Sequence, residues 1–296
     1  MKFLFSLFLF LITSNTISYS QEIITRACVS VLKYANVSYK SEGSLTAYET
    51  ERCKLDIYIP KTVASRPSPV IVYFYGGGLV EGDKTEGWVD GSNNFGYQFI
   101  KNGVAMVMVN YGLSGQHGTK WPAYIQDAAA AVAWVAKNIS HYGGDSSRIF
   151  VAGFSAGGYL THMLSIDDRW FSEINFDRTK IKGFIPISGQ TRAHGTVAAD
   201  LKMSQDSLML IRPDAMPLGH VKKTNTPIYI FVGEKEGKTI TDNYDYYNQL
   251  KSKGNKNLFI YTNPGKDHGG MRDGLGDEGS PTRTKILNFI KTYSGK

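Results

Sequence analysis

Short, almost continuous apolar runs recur along this chain, and helical patterns separate several of them. The runs cover residues 69–75, 104–110, 149–152, 184–187, 228–232 and 258–261. Stretches at residues 127–139, 243–253 and 282–293 have apolar residues at helical spacing. Strands that lack a polar face are buried on both sides, as in a parallel sheet covered by helices. The pattern predicts an α/β fold with a doubly wound, mostly parallel central sheet flanked by helices.

Two segments depart from this alternation. Residues 55–60 alternate between apolar and polar types and stop at Pro60, which predicts an outer antiparallel strand. Residues 189–226 show no regular pattern, and a stretch of that length is typical of a lid or pocket wall rather than a large cap domain. Because no composition break marks a second domain, residues 21–296 are predicted to form a single domain, with 189–226 as an irregular insertion near its functional site.

The N-terminal 20 residues have the layout of a secretory signal peptide. Lys2 precedes an apolar run over residues 3–12, and small polar residues then lead to Ser20. The run is shorter than the roughly 20 residues that a membrane-spanning helix needs. We therefore expect cleavage near Ser20 and a secreted or periplasmic protein without stable membrane insertion.

Charge and cysteine content narrow the range of partners. The net charge is +7, but its lysines are scattered, so no nucleic-acid partner is predicted. Cys28 and Cys53 either form a disulfide in the exported chain or remain as buried thiols, and the sequence leaves both open. No cysteine and histidine cluster has metal-ligand spacing, so no metal site is predicted. The oligomeric state is open.

Residues Gly153-Phe154-Ser155-Ala156-Gly157 lie between an apolar run and a segment with a helical pattern. A tight turn between a strand and a helix lifts a serine hydroxyl away from the backbone, where a base reaches it. The pattern therefore predicts Ser155 as a nucleophile.

A serine nucleophile needs a base and an orienting carboxylate. Among the 6 histidines, His268 lies in a glycine-rich loop after the last predicted strand and is preferred as the base. His162, His194 and His220 are the other histidines considered. The loop after residues 228–232 supplies Glu236 as the preferred acid, with Asp242 and Glu234 as open alternatives.

Three consecutive glycines follow the strand predicted at residues 69–75. They allow the N–H groups of Gly77 and Gly78 to turn into a cavity, where together with the N–H of Ala156 they would form an oxyanion hole. Tyr75, Trp88 and His194 are candidates for the substrate pocket. For Trp88 packing is an equal alternative, and for His194 an ordinary loop position is preferred.

With these motifs in place, the chain resembles the α/β-hydrolase superfamily, and most of all its branch of hormone-sensitive-lipase-like esterases and bacterial acetyl and feruloyl esterases. Further landmarks of the resemblance are Gly82-Asp83-Lys84, Val109-Asn110-Tyr111, Pro122, Gln126-Asp127, Gly158 and Asp267-His268-Gly269-Gly270-Met271. Three positions depart from the family pattern: Tyr75 replaces a histidine, Gly112 an arginine and Glu236 an aspartate. The change at Tyr75 is expected to alter how the glycine loop is anchored more than how an oxyanion is bound.

The resemblance implies that Ser155 is the nucleophile, His268 the base and Glu236 the acid, with Gly77, Gly78 and Ala156 as the oxyanion hole. It further implies a secreted serine esterase without a cofactor that releases acetyl or feruloyl-type groups from polysaccharide esters. A general small-ester carboxylesterase, a peptidase of the same superfamily and a non-catalytic binding protein are the alternatives.

Overall fold

The computed structural model describes residues 20–26, 29–41, 43, 45–61, 67–88 and 94–295. The predicted signal peptide up to residue 19 and Cys28 lie outside these ranges. The strands are β1 (Ser20–Arg26), β2 (Val29–Ser38), β3 (Lys54–Pro60), β4 (Ser68–Phe74), β5 (Ala105–Val109), β6 (Gly144–Phe154), β7 (Ile181–Ile187), β8 (Ile228–Gly233) and β9 (Leu258–Asn263). Within the described residues they form one nine-stranded sheet in the order β1-β2-β3-β5-β4-β6-β7-β8-β9.

The sheet is mostly parallel. From β5 across β4, β6, β7 and β8 to β9 every neighbouring pair is parallel, whereas β1, β2 and β3 are joined to each other and to β5 by antiparallel pairing. The predicted doubly wound sheet is confirmed. The strand predicted at residues 55–60 is β3, and two further strands, which the sequence patterns did not predict, lie outside it.

Helices cover the sheet. They are α1 (Ala47–Arg52), α2 (Phe95–Lys101), α3 (Ala123–Asn138), α4 (Ala156–Ile166), α5 (Arg169–Ser172), α6 (Gly195–Asp200), α7 (Gln205–Ile211), α8 (Lys238–Ser252), α9 (His268–Asp273) and α10 (Pro281–Tyr293). Short 3₁₀ helices occupy Ile139–Tyr142, Arg178–Lys180, Pro213–Ala215 and Pro217–His220. The prediction that residues 189–226 are irregular is wrong, because α6, α7 and two of the 3₁₀ helices lie there. Each of these helices is too short for its pattern to stand out in the sequence.

Burial follows the apolar runs. Every residue of β5 is buried, and so is every residue of α4, which packs against β6 and β7. The thiol of Cys53 is free and buried, and burial raises its pKa to about 11. No helix in the described ranges has both the length and the apolar character needed to cross a bilayer. The carboxyl ends of β4, β6, β7, β8 and β9 meet at one edge of the sheet, where ligands of open α/β sheets bind.

Candidate active site

The turn between β6 and α4 holds Ser155 in a strained conformation. Its φ of 54° and ψ of −114° are rare for a residue with a side chain. The flanking glycines are required by close backbone contacts: a Cβ on Gly153 would lie 2.3 Å from the Gly157 carbonyl oxygen, and one on Gly157 would lie 2.0 Å from that of Phe74. This tight packing explains why the sequence needs glycine on both sides of the serine.

Neighbouring strands hold the turn in place. Phe74, the last residue of β4, pairs in register with Gly153. On the other side, the Ser155 N–H donates to the carbonyl oxygen of Ile187, the last residue of β7, at 2.9 Å. Ser155 is therefore fixed between the ends of two parallel strands, with its side chain at the carboxyl edge of the sheet.

A chain of hydrogen bonds runs from Ser155 to a buried carboxylate. Ser155 Oγ lies 2.9 Å from His268 Nε2, and His268 Nδ1 lies 3.1 Å from Glu236 Oε2. His268 begins α9, directly after the loop that follows β9. Its side chain is 44% exposed, whereas that of Glu236 is 0% exposed. The structure thus brings together the three predicted side chains in the order required for a serine nucleophile, its base and an orienting acid.

The second oxygen of Glu236 is held by two donors. Ser188 Oγ donates to Oε1 at 2.5 Å, and the Gly233 N–H donates to the same atom at 2.6 Å. Ser188 is fully buried and adopts a φ of 51° at the end of β7. These bonds leave Oε2 to face His268. The sequence patterns did not single out Ser188, because its only local signal is a position directly after a predicted strand.

The alternative acids lie elsewhere. Asp242 accepts from Arg192 Nε at 2.9 Å, and Glu234 Oε2 accepts from the Gly265 N–H at 2.7 Å. The other histidines are engaged as well: His162 Nε2 lies 3.2 Å from Asn243 Oδ1, and His220 Nε2 lies 2.9 Å from the Asp214 carbonyl oxygen. Of the carboxylates considered, the structure places Glu236 against His268.

The glycine loop after β4 approaches Ser155 closely. A Cβ built on Gly76 would lie 3.3 Å from the Cβ of Ser155. Gly77 and Gly78 have φ values of 95° and 62°, which favour glycine. In the described part of the chain, the N–H groups of Gly77, Gly78 and Ala156 donate to no other protein atom. Three unpaired backbone donors next to a serine hydroxyl are the groups that stabilise a developing oxyanion.

Polar contacts anchor this loop on both sides. Tyr111 Oη donates to the Tyr75 carbonyl oxygen at 3.0 Å, and Asn110 Nδ2 donates to Asp83 Oδ2 at 2.8 Å. From the opposite side, Thr196 Oγ1 of α6 donates to the Gly78 carbonyl oxygen at 2.6 Å. The hydrogen bond between the family landmarks Asp83 and Asn110 thus helps to hold the glycine loop in place. The contact of Thr196 shows that the segment 189–226 reaches the site.

The pocket prediction for Tyr75 is wrong. Its side chain is fully buried, its ring stacks on Tyr111 with centroids 4.6 Å apart, and Arg52 donates to its hydroxyl. Since Arg52 also donates to the Gly82 carbonyl oxygen at 2.7 Å, Tyr75 joins a network that holds the start of the loop. The side chain therefore packs behind the loop and does not face a substrate.

Trp88 and His194 also have packing roles. The Trp88 ring stacks on Tyr58 of β3 at a centroid distance of 3.7 Å, which agrees with the packing alternative. His194 is 5% exposed, and its Nδ1 accepts from the Thr196 N–H at the start of α6. Burial lowers the pKa of His194 to about 4, so the ring is neutral at pH 7. His194 thus supports the helix that carries Thr196 and offers almost no surface to a ligand.

A model of the BD-FAE family matches residues 55–243, which include the glycine loop and the turn at Ser155. The chain belongs to the BD-FAE family. Its sequence is 28% identical to a fumonisin B1 esterase of Sphingopyxis macrogoltabida over 63% of this chain, and 39% identical to the carboxylesterase NlhH of Mycobacterium tuberculosis over 37% of it. These matches span only 36% and 32% of the lengths of the two relatives.

Solved structures share the fold of this BD-FAE member. A truncated carbohydrate esterase from gut microbiota has a TM-score of 0.70 at 22% identity, with 89% of this chain and 96% of that chain covered. An esterase of the planctomycete Thermogutta terrifontis has a TM-score of 0.65 at 20% identity, with 88% and 90% covered. Both comparisons place the chain in the α/β-hydrolase fold.

Proposed function

We propose that the protein is a secreted serine carboxylic-ester hydrolase that releases short or aromatic acyl groups from polysaccharide esters. The observation that carries this proposal is the continuous hydrogen-bonded path from Ser155 Oγ through both nitrogens of His268 to the buried carboxylate of Glu236. The unpaired N–H groups of Gly77, Gly78 and Ala156 supply the other part that acyl transfer requires.

The reaction has two steps. Ser155 Oγ attacks the ester carbonyl carbon while His268 Nε2 takes its proton, and the carbonyl oxygen becomes an oxyanion next to the glycine loop. When the C–O bond to the alcohol breaks, His268 returns the proton to the leaving alcohol and an acyl-serine remains. A water molecule, deprotonated by His268, then attacks the acyl carbon. As the bond from that carbon to Ser155 Oγ breaks, His268 returns the proton to Ser155 Oγ and the carboxylic acid is released. Throughout, Glu236 orients the imidazole and stabilises its protonated form.

The proposed substrate class is supported by two observations. The first is the signal-peptide pattern of the first 20 residues, which suits an enzyme that meets its substrate outside the cytoplasm. The second is the shared fold with an enzyme named as a carbohydrate esterase.

A release assay tests the proposal. Purified protein is incubated with acetylated xylan, feruloylated arabinoxylan and p-nitrophenyl acetate, with Ser155→Ala as the inactive control. We expect acetate or ferulate to be released from at least one polysaccharide, and no release by the control. Hydrolysis of p-nitrophenyl acetate alone would instead identify a general carboxylesterase. N-terminal sequencing of protein recovered from the medium or periplasm tests export, with a start near residue 21 as the expected result.

A further inference from the structure

The far end of the glycine loop adopts a backbone conformation that its surroundings must hold. Leu79, which follows the three glycines, is fully buried and has a φ of 67°. This left-handed conformation is unfavourable for a residue with a side chain, so it persists only where other contacts fix it. Within the loop, the N–H groups of Val80 and Glu81 donate to the Gly77 carbonyl oxygen at 3.0 and 3.1 Å. The loop is therefore a compact turn, and a shift at its far end also displaces its N–H donors.

Two donors from other segments hold this end of the loop. Thr196 Oγ1 of α6 donates to the Gly78 carbonyl oxygen at 2.6 Å, and the Ser114 N–H donates to the Leu79 carbonyl oxygen at 2.7 Å. These bonds fix the peptide groups that follow Gly78 and Leu79. The N–H of Gly78, a proposed oxyanion donor, belongs to the peptide group just before them, so the two bonds help to aim it.

Both anchors are linked to one carboxylate, that of Asp200. Its Oδ1 accepts from Ser114 Oγ at 2.6 Å, and its Oδ2 accepts from the Trp121 N–H at 2.8 Å and from Tyr124 Oη at 3.2 Å. Burial and the nearby Asp200 charge raise the pKa of Tyr124, so its hydroxyl stays protonated and donates. Asp200 is the last residue of α6 and follows Thr196 by four positions, so the two lie on the same face one turn apart.

The carboxylate fixes α6 more exactly than apolar packing does. Val197 and Ala198 are buried side chains of α6, but apolar packing is non-directional and does not set where along the helix axis Thr196 comes to lie. The bonds to Asp200 are directional, and a hydrogen bond to an ionised acceptor is about twice as strong as one between neutral groups. They join the end of α6 to residues 114–124, which include the second anchor of the loop.

We propose that Asp200 is a positioning residue for the oxyanion hole. Its carboxylate holds Ser114 and α6 against each other, and Ser114 and Thr196 in turn hold the glycine loop with its N–H groups facing the ester carbonyl. The proposal rests on the proposed esterase function. It gives the segment 189–226 a part in the reaction through α6.

The first test removes the carboxylate. We expect Asp200→Ala to lower kcat for p-nitrophenyl acetate about tenfold and to leave KM within about twofold, because the oxyanion forms only after binding. Loss of a direct oxyanion donor lowers kcat by a factor of about 10²–10³, and a misaligned donor loses part of this effect. The acid limb of the pH–rate profile, which reports the protonation of His268, is expected to stay in place. Asp200→Asn keeps an acceptor for the Trp121 N–H, so its kcat is expected to lie within about threefold of wild type.

A double-mutant cycle tests the path through α6. Thr196→Val keeps the shape of the side chain and removes its donor to Gly78, so we expect kcat to fall about fivefold. The double variant Asp200→Ala/Thr196→Val is expected to be no more than about twofold slower than Asp200→Ala, since both changes release the same bond. Should Asp200→Ala fail to fold, Ser114→Ala, which removes one donor to Asp200, takes its place in the cycle with the same less-than-multiplicative result. Asp206→Ala changes an exposed aspartate of the same segment and is the control, with kcat and KM unchanged.

Wild-type kcat in folded Asp200→Ala would overturn the positioning role. A shifted acid limb would also overturn it, because the effect would then lie on His268, and so would a double variant whose two losses multiply. Wild-type protein that hydrolyses no ester would overturn the proposed function instead, so the two failures are distinguishable.

Discussion

The Nδ1 atom of His268 lies 3.1 Å from Oε2 of Glu236, whose side chain is 0% exposed. A buried carboxylate in this position keeps the imidazole in one orientation and stabilises its protonated form. Replacing Glu236 by Ala is expected to lower kcat by a factor on the order of 10⁴, since the base loses both effects. Steady-state kinetics with p-nitrophenyl acetate measure this loss.

Asp242→Ala is the matched comparison. Its carboxylate pairs with Arg192, away from His268, so kcat is expected to stay within a few-fold of wild type. If Asp242→Ala lost activity while Glu236→Ala retained it, the assignment of the acid would be wrong.

Ser188 is expected to contribute to kcat through Glu236. Ser188→Ala removes the 2.5 Å hydrogen bond to Oε1 and leaves the Gly233 N–H as its other donor. We expect kcat to fall about tenfold with KM within twofold, because a hydrogen bond to a charged group contributes roughly 1.5–3 kcal/mol and part of it is replaced. Ser165→Ala is the control, since Ser165 is equally buried but its hydroxyl donates to the His162 carbonyl oxygen rather than to Glu236. Equal effects of the two variants would refute a positioning role for Ser188.

The close contact of Gly157 with β4 is expected to make this glycine irreplaceable. A Cβ there would lie 2.0 Å from the Phe74 carbonyl oxygen, and backbone atoms move only at high cost. We expect Gly157→Ala to destabilise the fold by more than about 3 kcal/mol or to prevent folding. Gly269→Ala, where an added Cβ meets nothing within 4 Å, is expected to stay within about 1 kcal/mol of wild type. Chemical denaturation compares the two, and similar stabilities would contradict the packing described for the turn.

Because His194 is buried, we expect the folded protein to lose stability in mild acid. Its pKa is about 4 in the folded protein, below the ordinary value of 6.5, so between these values the unfolded chain binds the proton more tightly. Protonation of His194 therefore leaves the free energy of unfolding unchanged above pH 6.5 and lowers it as the pH falls towards 4. At pH 5 this one residue costs about 2 kcal/mol of unfolding free energy.

His194→Asn isolates this contribution. Asparagine keeps an acceptor for the N-terminus of α6 but does not titrate. Urea unfolding at pH 7 and pH 5 is expected to show a smaller drop for the variant than for wild type, by about 2 kcal/mol. His162, with a pKa lowered to about 3 by burial, remains in both proteins and accounts for part of the drop that persists. Identical drops in the two proteins would contradict the buried, neutral state of His194.

Much of the architecture was predictable because each central strand is short, apolar and bounded by turns. β2 was missed for a physical reason: a bulge between Tyr34 and Val37, with Asn36 at a φ of 58°, breaks the alternation that marks a strand. The helices α6 and α7 were missed because each is only one or two turns long.

The residues of the site also differ in how well the sequence predicts them. Ser155 and His268 carry local signals, namely a tight turn and a glycine-rich loop after a strand. Glu236 and Asp242 are both loop or first-turn carboxylates, and only the fold decides which one faces His268. The supporting contacts of Ser188 and Thr196 join residues far apart in sequence, so no local pattern contains them. The sequence offers Tyr75 as a pocket residue, whereas the structure stacks its ring on Tyr111 and pairs its hydroxyl with Arg52.

Covalent labelling with a fluorophosphonate probe, followed by mass spectrometry of the modified peptide, tests directly whether Ser155 is an activated nucleophile. A serine activated by His268 and facing unpaired backbone donors attacks the phosphorus rapidly. We expect one adduct, on Ser155, and none in folded Ser155→Ala. Folded wild-type protein that stays unlabelled, or an adduct that persists in Ser155→Ala, would contradict it.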